Sequence, residues 1–146
     1  MAGPCLAPAP MSAFDPRRRL PLLLALFASP ALSETPLTAA EFEAHVLGKT
    51  VTYSRQGGVY GIEEYLDGRR VRWSAAPNLC QYGSWFADSD AICFVYDDNQ
   101  VPQCWTFWLR DGRLVALSTE AAPGSELYET EASTQGLSCP GPDVGV

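Results

Sequence analysis

The 146-residue chain holds a single histidine, His45, and none of its five cysteines stands in a C-x-x-C pair. These two shortages remove most familiar chemistry. Nucleophilic catalysis needs a base beside the nucleophile, and one histidine in a helical stretch is a surface or lid residue before it is a catalyst. A zinc site needs closely spaced thiolates or imidazoles, whereas Cys80, Cys93, Cys104 and Cys139 are widely spaced and have no histidine nearby. No glycine-rich phosphate loop occurs. Positive charge is scarce as well: ten Lys and Arg oppose seventeen Asp and Glu, for a net charge of −7. That balance argues against nucleic acid or any partner held by phosphate neutralisation. The longest apolar run, Leu20 to Phe27, is well short of the ~20 residues that span a bilayer.

That short run has a different meaning. Arg17, Arg18 and Arg19 precede it, and Ala31 and Ser33 follow it. A charged start, a greasy centre and small residues at the end form a secretory leader. We expect a leader over residues 1–33, with Met11 a possible true start, then one domain over 34–139 and a flexible tail over 140–146 rich in Pro and Gly. Cys5 falls in the leader. The destination is periplasmic or secreted, where thiols pair.

The domain opens with a helix. Thr38-Ala39-Ala40-Glu41 has the capping-box form, Phe42 and Val46 share one face of Ala39–Leu47, and Gly48 suits a left-handed C-terminal cap. From Lys49 to about Tyr128 the period changes to short runs of Val, Tyr, Trp, Phe and Thr. Gly57-Gly58, Asp67-Gly68, Asp97 to Gln100 and Asp111-Gly112 break these runs, which describes an antiparallel meander.

The turns predict registers. A two-residue turn at Asp67-Gly68 sets Leu66 against Arg69, Glu63 against Arg72 and Ile62 against Trp73. Glu63, Tyr65, Arg70 and Arg72 then face solvent. Ile62, Leu66, Val71 and Trp73 face inward with Glu64 as the odd residue, either buried, at a rim, or turned outward by a slip at Gly61. Asp111-Gly112 sets Leu109 against Leu114, Trp108 against Val115 and Phe107 against Ala116. The apolar outer face of Trp108, Val115 and Leu117 calls for a cover, which the helix could supply.

A four-residue loop over Asp97–Gln100 sets Tyr96 against Val101, and counting back brings Cys93 opposite Cys104. A cross-strand disulfide follows, and Cys80–Cys139 is the remaining pair, pinning the tail. Closing the short loop is worth roughly 3 kcal/mol and the longer one roughly 4 kcal/mol, both by restricting the unfolded chain.

Gly83-Ser84-Trp85, Cys93-Phe94-Val95-Tyr96 and Cys104-Trp105 together resemble a family of small exported bacterial proteins of unknown function that share a G-x-W…C-x-x-Y…C pattern. The similarity spans about Lys49 to Ser118. It implies a secreted, largely β domain and carries no activity or catalytic residue. The Cys80 and Cys139 pair is additional to that pattern.

The expected fold is mainly β: an antiparallel meander closing into a small lipocalin-like barrel, with one N-terminal helix and two disulfides. Such a barrel can hold one small ligand. The candidate ligand-binding residues are Glu64, Trp73, Trp85, Phe94, Tyr96, Trp105 and Phe107, although aromatic side chains also simply fill narrow barrels. The expected partner is a small apolar ligand or, alternatively, an envelope protein that the domain inhibits or assists through loops such as 97–100 or 121–126. We expect a monomer acting by binding, with no catalytic residue, no cofactor and no metal. Asp88, Asp90, Asp97, Asp98 and Asn99 read as turn residues because their spacing fits no calcium loop.

Overall fold

A computed structural model describes Gly3 and residues 34–139; the segment from Arg17 to Ser33, Cys5 and the tail 140–146 lie outside the described residues. Residues 34–139 form a helix followed by eight antiparallel strands in a closed barrel, each strand paired with its sequence neighbours and β1 with β8. The strands are β1 (Thr50–Arg55), β2 (Gly58–Tyr65), β3 (Arg70–Ala76), β4 (Leu79–Asp88), β5 (Ala91–Tyr96), β6 (Asn99–Arg110), β7 (Arg113–Ser118) and β8 (Leu127–Ser133). Closure leaves no free sheet edge, since every strand has a neighbour on each side.

Helix α1 (Ala39–Val46) starts at the expected capping box: Glu41 N–H donates to Thr38 Oγ1, and Thr38 N–H donates to the Glu41 carboxylate at 2.8 Å. It ends at Leu47, and Gly48 turns the chain with φ +74° and donates to Tyr65 O at 3.0 Å. The helix does not lie over Trp108. It closes the barrel end that carries the β2–β3 and β6–β7 turns. Phe42 is fully buried against Tyr65, Trp85, Phe94 and Phe107, with ring centroids 4.5–6.4 Å away. The outer face of Trp108 is met instead by the segment before the helix. Trp108 Nε1 donates to Glu34 O at 3.2 Å, and Leu37 N–H donates to Phe107 O at 2.8 Å where β6 overhangs the shorter β5. An eight-residue helix is too short to be stable alone, so burial of Phe42 and Val46 is what holds it.

The Asp111-Gly112 hairpin follows expectation, with positive φ at both residues and Trp108 opposite Val115. The β2–β3 hairpin does not. Its turn takes three residues, Asp67, Gly68 and Arg69, with φ +70° at Gly68 and +59° at Arg69, and Leu66 N–H donates to Arg70 O. The register moves by one: Glu63 opposes Trp73, Glu64 opposes Arg72 and Tyr65 opposes Val71. A one-residue slip inverts a strand's faces, so Glu63 and Tyr65 are buried inside and Glu64 lies on the outer face. Arg69 tolerates its left-handed backbone because its guanidinium stacks 4.4 Å from the Trp85 ring centre and bonds to Glu43 of α1 at 3.2 Å. The turn is thereby tied to both barrel and helix.

The β5–β6 turn also differs. Tyr96 opposes Asn99 rather than Val101, so the turn is Asp97-Asp98, and β6 then gains two unpaired residues in an irregularity containing Pro102, which has no amide to donate. The shorter turn and the bulge cancel, and Cys93 still opposes Cys104. Both disulfides form as expected, Cys93–Cys104 across the hairpin and Cys80–Cys139 over 59 residues.

After β8 the chain crosses the outside of β1, β2 and β3 before reaching Cys80. Thr50 Oγ1 donates to Gln135 O at 2.6 Å, and Leu137 N–H donates to Glu64 Oε2 at 3.0 Å. Glu64 Oε2 also pairs with Arg72 at 2.6 Å. The glutamate expected inside is thus the outer clasp of this strap.

Two substitutions test these packing arguments. Phe42→Ala opens a cavity beneath four aromatic rings and should cost about 3–5 kcal/mol in denaturant unfolding. Glu64→Gln removes the charge that satisfies Arg72 and the strap amide, and should cost about 1–3 kcal/mol; an unchanged midpoint would mean that the strap adds nothing.

Candidate functional site

Above Phe42 the barrel interior is not filled. A cavity of about 90 Å³ remains open to the centres of water-sized molecules, several times the ~10–15 Å³ that one water requires. Its floor is formed by Tyr65, Phe94 and Phe107, the rings that rest on Phe42, with Ala116 and Leu127 at the side. Its mouth lies at the opposite end from the helix. There Tyr60 sits 5.8 Å from Trp73 and 6.3 Å from Trp105, ring centre to ring centre, and Gln81 and Gln103 complete the rim.

Trp73 reaches this position because β2 carries glycine beside it. A methyl group at Gly61 would overlap the six-membered ring of Trp73, so only glycine lets the indole lie flat against the β2 backbone. The β1–β2 register shifts between Tyr53 and Ser54 because β2 holds one extra residue there, Tyr60; Tyr53 itself faces the cavity by alternation with the buried Val51.

One carboxyl faces the cavity. Glu63 is 3% exposed; its Oε2 accepts from Tyr96 OH at 2.9 Å, and its Oε1 has no hydrogen-bond partner. Burial pushes its pKa up to about 8, with the Tyr96 hydrogen bond opposing the shift. At neutral pH the side chain is therefore mostly a neutral acid, able to donate as well as accept. Beside it the Tyr53 and Tyr65 hydroxyls share a hydrogen bond of 2.8 Å. Burial raises the pKa of Tyr53, Tyr65 and Tyr96, so all three stay protonated.

Of the residues singled out from sequence, Trp73, Phe94, Tyr96, Trp105 and Phe107 line this cavity. Trp85 does not: it lies beneath the floor, between Phe42 and the Arg69 guanidinium. Glu64 is outside, for the register reason given above. Sequence reasoning missed Glu63, Tyr53, Tyr60 and Tyr65. Counting Arg69 into the turn would have recovered Glu63 and Tyr65 at once, and alternation with Val51 would have found Tyr53, whereas Tyr60 depends on a bulge with no local signature.

His45 stands apart from the cavity, in α1. Its Nε2 is 2.9 Å from Glu129 Oε2, which also accepts Leu114 N–H at 2.8 Å, so the pair fastens the helix to β7 and β8. The acidic turns are engaged locally: Gln81 Nε2 donates to Asp98 at 2.7 Å and Ser89 to Asp88 at 3.3 Å. Among the described residues no three His, Cys, Asp or Glu side chains gather as a metal site, and no helix is long and apolar enough to cross a membrane. No protein-family model, curated protein or solved structure matches the chain.

The buried acid makes stability depend on pH in a definite direction. The unfolded chain releases this proton near 4.5 and the folded chain near 8, so between those values unfolding releases a proton and stability falls as pH rises. Glu63→Gln should flatten that slope. It should leave stability near pH 4 little changed and raise it at pH 8 by on the order of a few kcal/mol, as read from urea midpoints across the range; parallel profiles for the two proteins would refute a buried, protonated Glu63.

Proposed function

We propose that the protein is an exported β-barrel that binds a small molecule in its open end and acts by binding rather than by chemistry. One observation carries this reading: a buried carboxyl with one oxygen that has no partner stands in the wall of a cavity that opens to solvent. Buried polar groups are normally satisfied because an unmet one costs about 1–3 kcal/mol. Ligand pockets characteristically combine apolar and aromatic walls with a few fixed polar groups, and Glu63, Tyr53 and Tyr96 supply that polar set.

Export is supported by two disulfides, which persist in oxidising compartments, together with the leader-like segment Arg17–Ser33. We place the chain in the periplasm or outside the cell on those grounds, alongside the exported bacterial family that its G-x-W…C-x-x-Y…C residues resemble. A binding role is favoured over catalysis because Glu63 has no histidine, thiol or second carboxyl beside it in the cavity wall.

Native mass spectrometry of the protein taken from its own compartment without reductant, repeated after denaturation, tests the reading. A non-covalent mass lost on denaturation is the expected result. Equal masses, together with no binding of small aromatic probes by the purified protein, would leave a filled barrel and direct attention to protein partners.

A further inference from the structure

The cavity wall has one ionisable acid and no Lys, Arg or His among its lining residues. Arg72, the arginine nearest Glu63 in the β2–β3 ladder, points outward and is committed to Glu64. An interior acid with an unpartnered oxygen and no internal countercharge is half of an ion pair. The three rings at the mouth, Tyr60, Trp73 and Trp105, supply the aromatic surface that a desolvated cation needs. Cations are attracted to aromatic faces, the more strongly when water is excluded. The mouth already shows this preference, for Arg55 lies 5.5 Å from the Tyr60 ring centre. Net charge −7 over the chain also favours the approach of a cation.

We propose that the cavity takes a small organic ammonium compound, with Glu63 as its countercharge and Tyr60, Trp73 and Trp105 as the aromatic faces that receive it. This deepens the reading of the barrel as a ligand-binding module and rests on it. The ammonium group pairs with the Glu63 carboxylate, whose buried Oε1 has no partner and turns toward it on binding, while Tyr96 keeps its hydrogen bond to Oε2. Binding ionises Glu63, and the proton leaves to solvent. The other titratable groups around Glu63 are Tyr53 on β1, Tyr65 on β2 and Tyr96 on β5, with Glu129 on β8 acting on Tyr53. The tyrosines remain neutral, so the released proton comes from Glu63. A cavity of about 90 Å³ limits the occupant to roughly one ring or a short branched chain.

Benzylamine and benzyl alcohol separate charge from shape, since they share ring and length and only the amine is charged at pH 7. Calorimetric titration of the whole protein should show the amine binding roughly tenfold tighter than the alcohol, with proton release visible as a heat that varies with the buffer. In Glu63→Gln, whose fold is checked by circular dichroism, the amine should lose that advantage and the proton release, while the alcohol binds as before. Equal affinity of wild type for both probes would overturn the ammonium proposal and leave the binding module standing. Amine binding that survives Glu63→Gln unchanged would overturn it too. Failure of wild type to bind either probe would overturn both.

Discussion

Closure of the β2–β3 hairpin through Asp67, Gly68 and Arg69 decides which of two adjacent glutamates enters the barrel, and most of the structure follows from that choice. With three residues in the turn, Glu63 and Tyr65 share the inner face with Val71 and Trp73. Glu64 is left outside to meet Arg72. A turn one residue shorter would put Glu64 among the aromatic rings and bring Glu63 opposite Arg72 on the outer face. The left-handed backbone of Arg69 costs about 1–2 kcal/mol, and its stacking on Trp85 and bond to Glu43 are what offset it. The turn is therefore specified by contacts far away in sequence.

The two barrel ends have opposite characters. At one end Phe42 fills the space between Tyr65, Trp85, Phe94 and Phe107, and His45 and Arg69 fasten the helix that carries it. At the other end Tyr60, Trp73 and Trp105 leave space between them. The covalent braces are distributed accordingly. Cys93–Cys104 locks the hairpin that supplies Phe94, Tyr96 and Trp105, and Cys80–Cys139 holds the strap across β1 to β3, the strands that supply Tyr53, Glu63 and Trp73. By contrast the β7–β8 seam has only two paired positions and contributes only apolar side chains to the cavity, Ala116 and Leu127. Rigidity is concentrated where polar geometry matters.

Much of this was legible in the sequence because turns and cysteines are local signals. The capping box at Thr38, the left-handed Gly48, the Asp111-Gly112 hairpin and the opposition of Cys93 and Cys104 each follow from a few neighbouring residues. The last survived a misread turn only because a compensating bulge restored the count. What was not legible depends on distant partners. Asp67-Gly68 has the form of a two-residue turn, and nothing near it reveals that Arg69 will be held by Trp85 and Glu43. The inner face of β3 was read correctly while that of β2 was inverted, so the aromatic wall was largely identified and its acid was named one position off. The place of α1 was similarly hidden, because Phe42 fits the end of a barrel as well as the outside of a sheet.

The adjacent glutamates show two solutions to the same electrostatic problem. Glu64 is matched by an arginine and a backbone amide on the outer face beneath the strap, where the half-buried Arg72 keeps some contact with water. Glu63 has no arginine, and burial shifts the cost onto its own ionisation, so the folded protein holds a proton there until about pH 8. A purely structural acid in this position would be expected to have both oxygens bound, since the surrounding tyrosines offer hydroxyls enough. Instead Tyr53 and Tyr65 bond to each other and leave Oε1 without a partner. A barrel selected for stability alone would fare better with glutamine or leucine at this position. An acid that can ionise once a positive charge arrives is the polar element on which the proposed binding role rests.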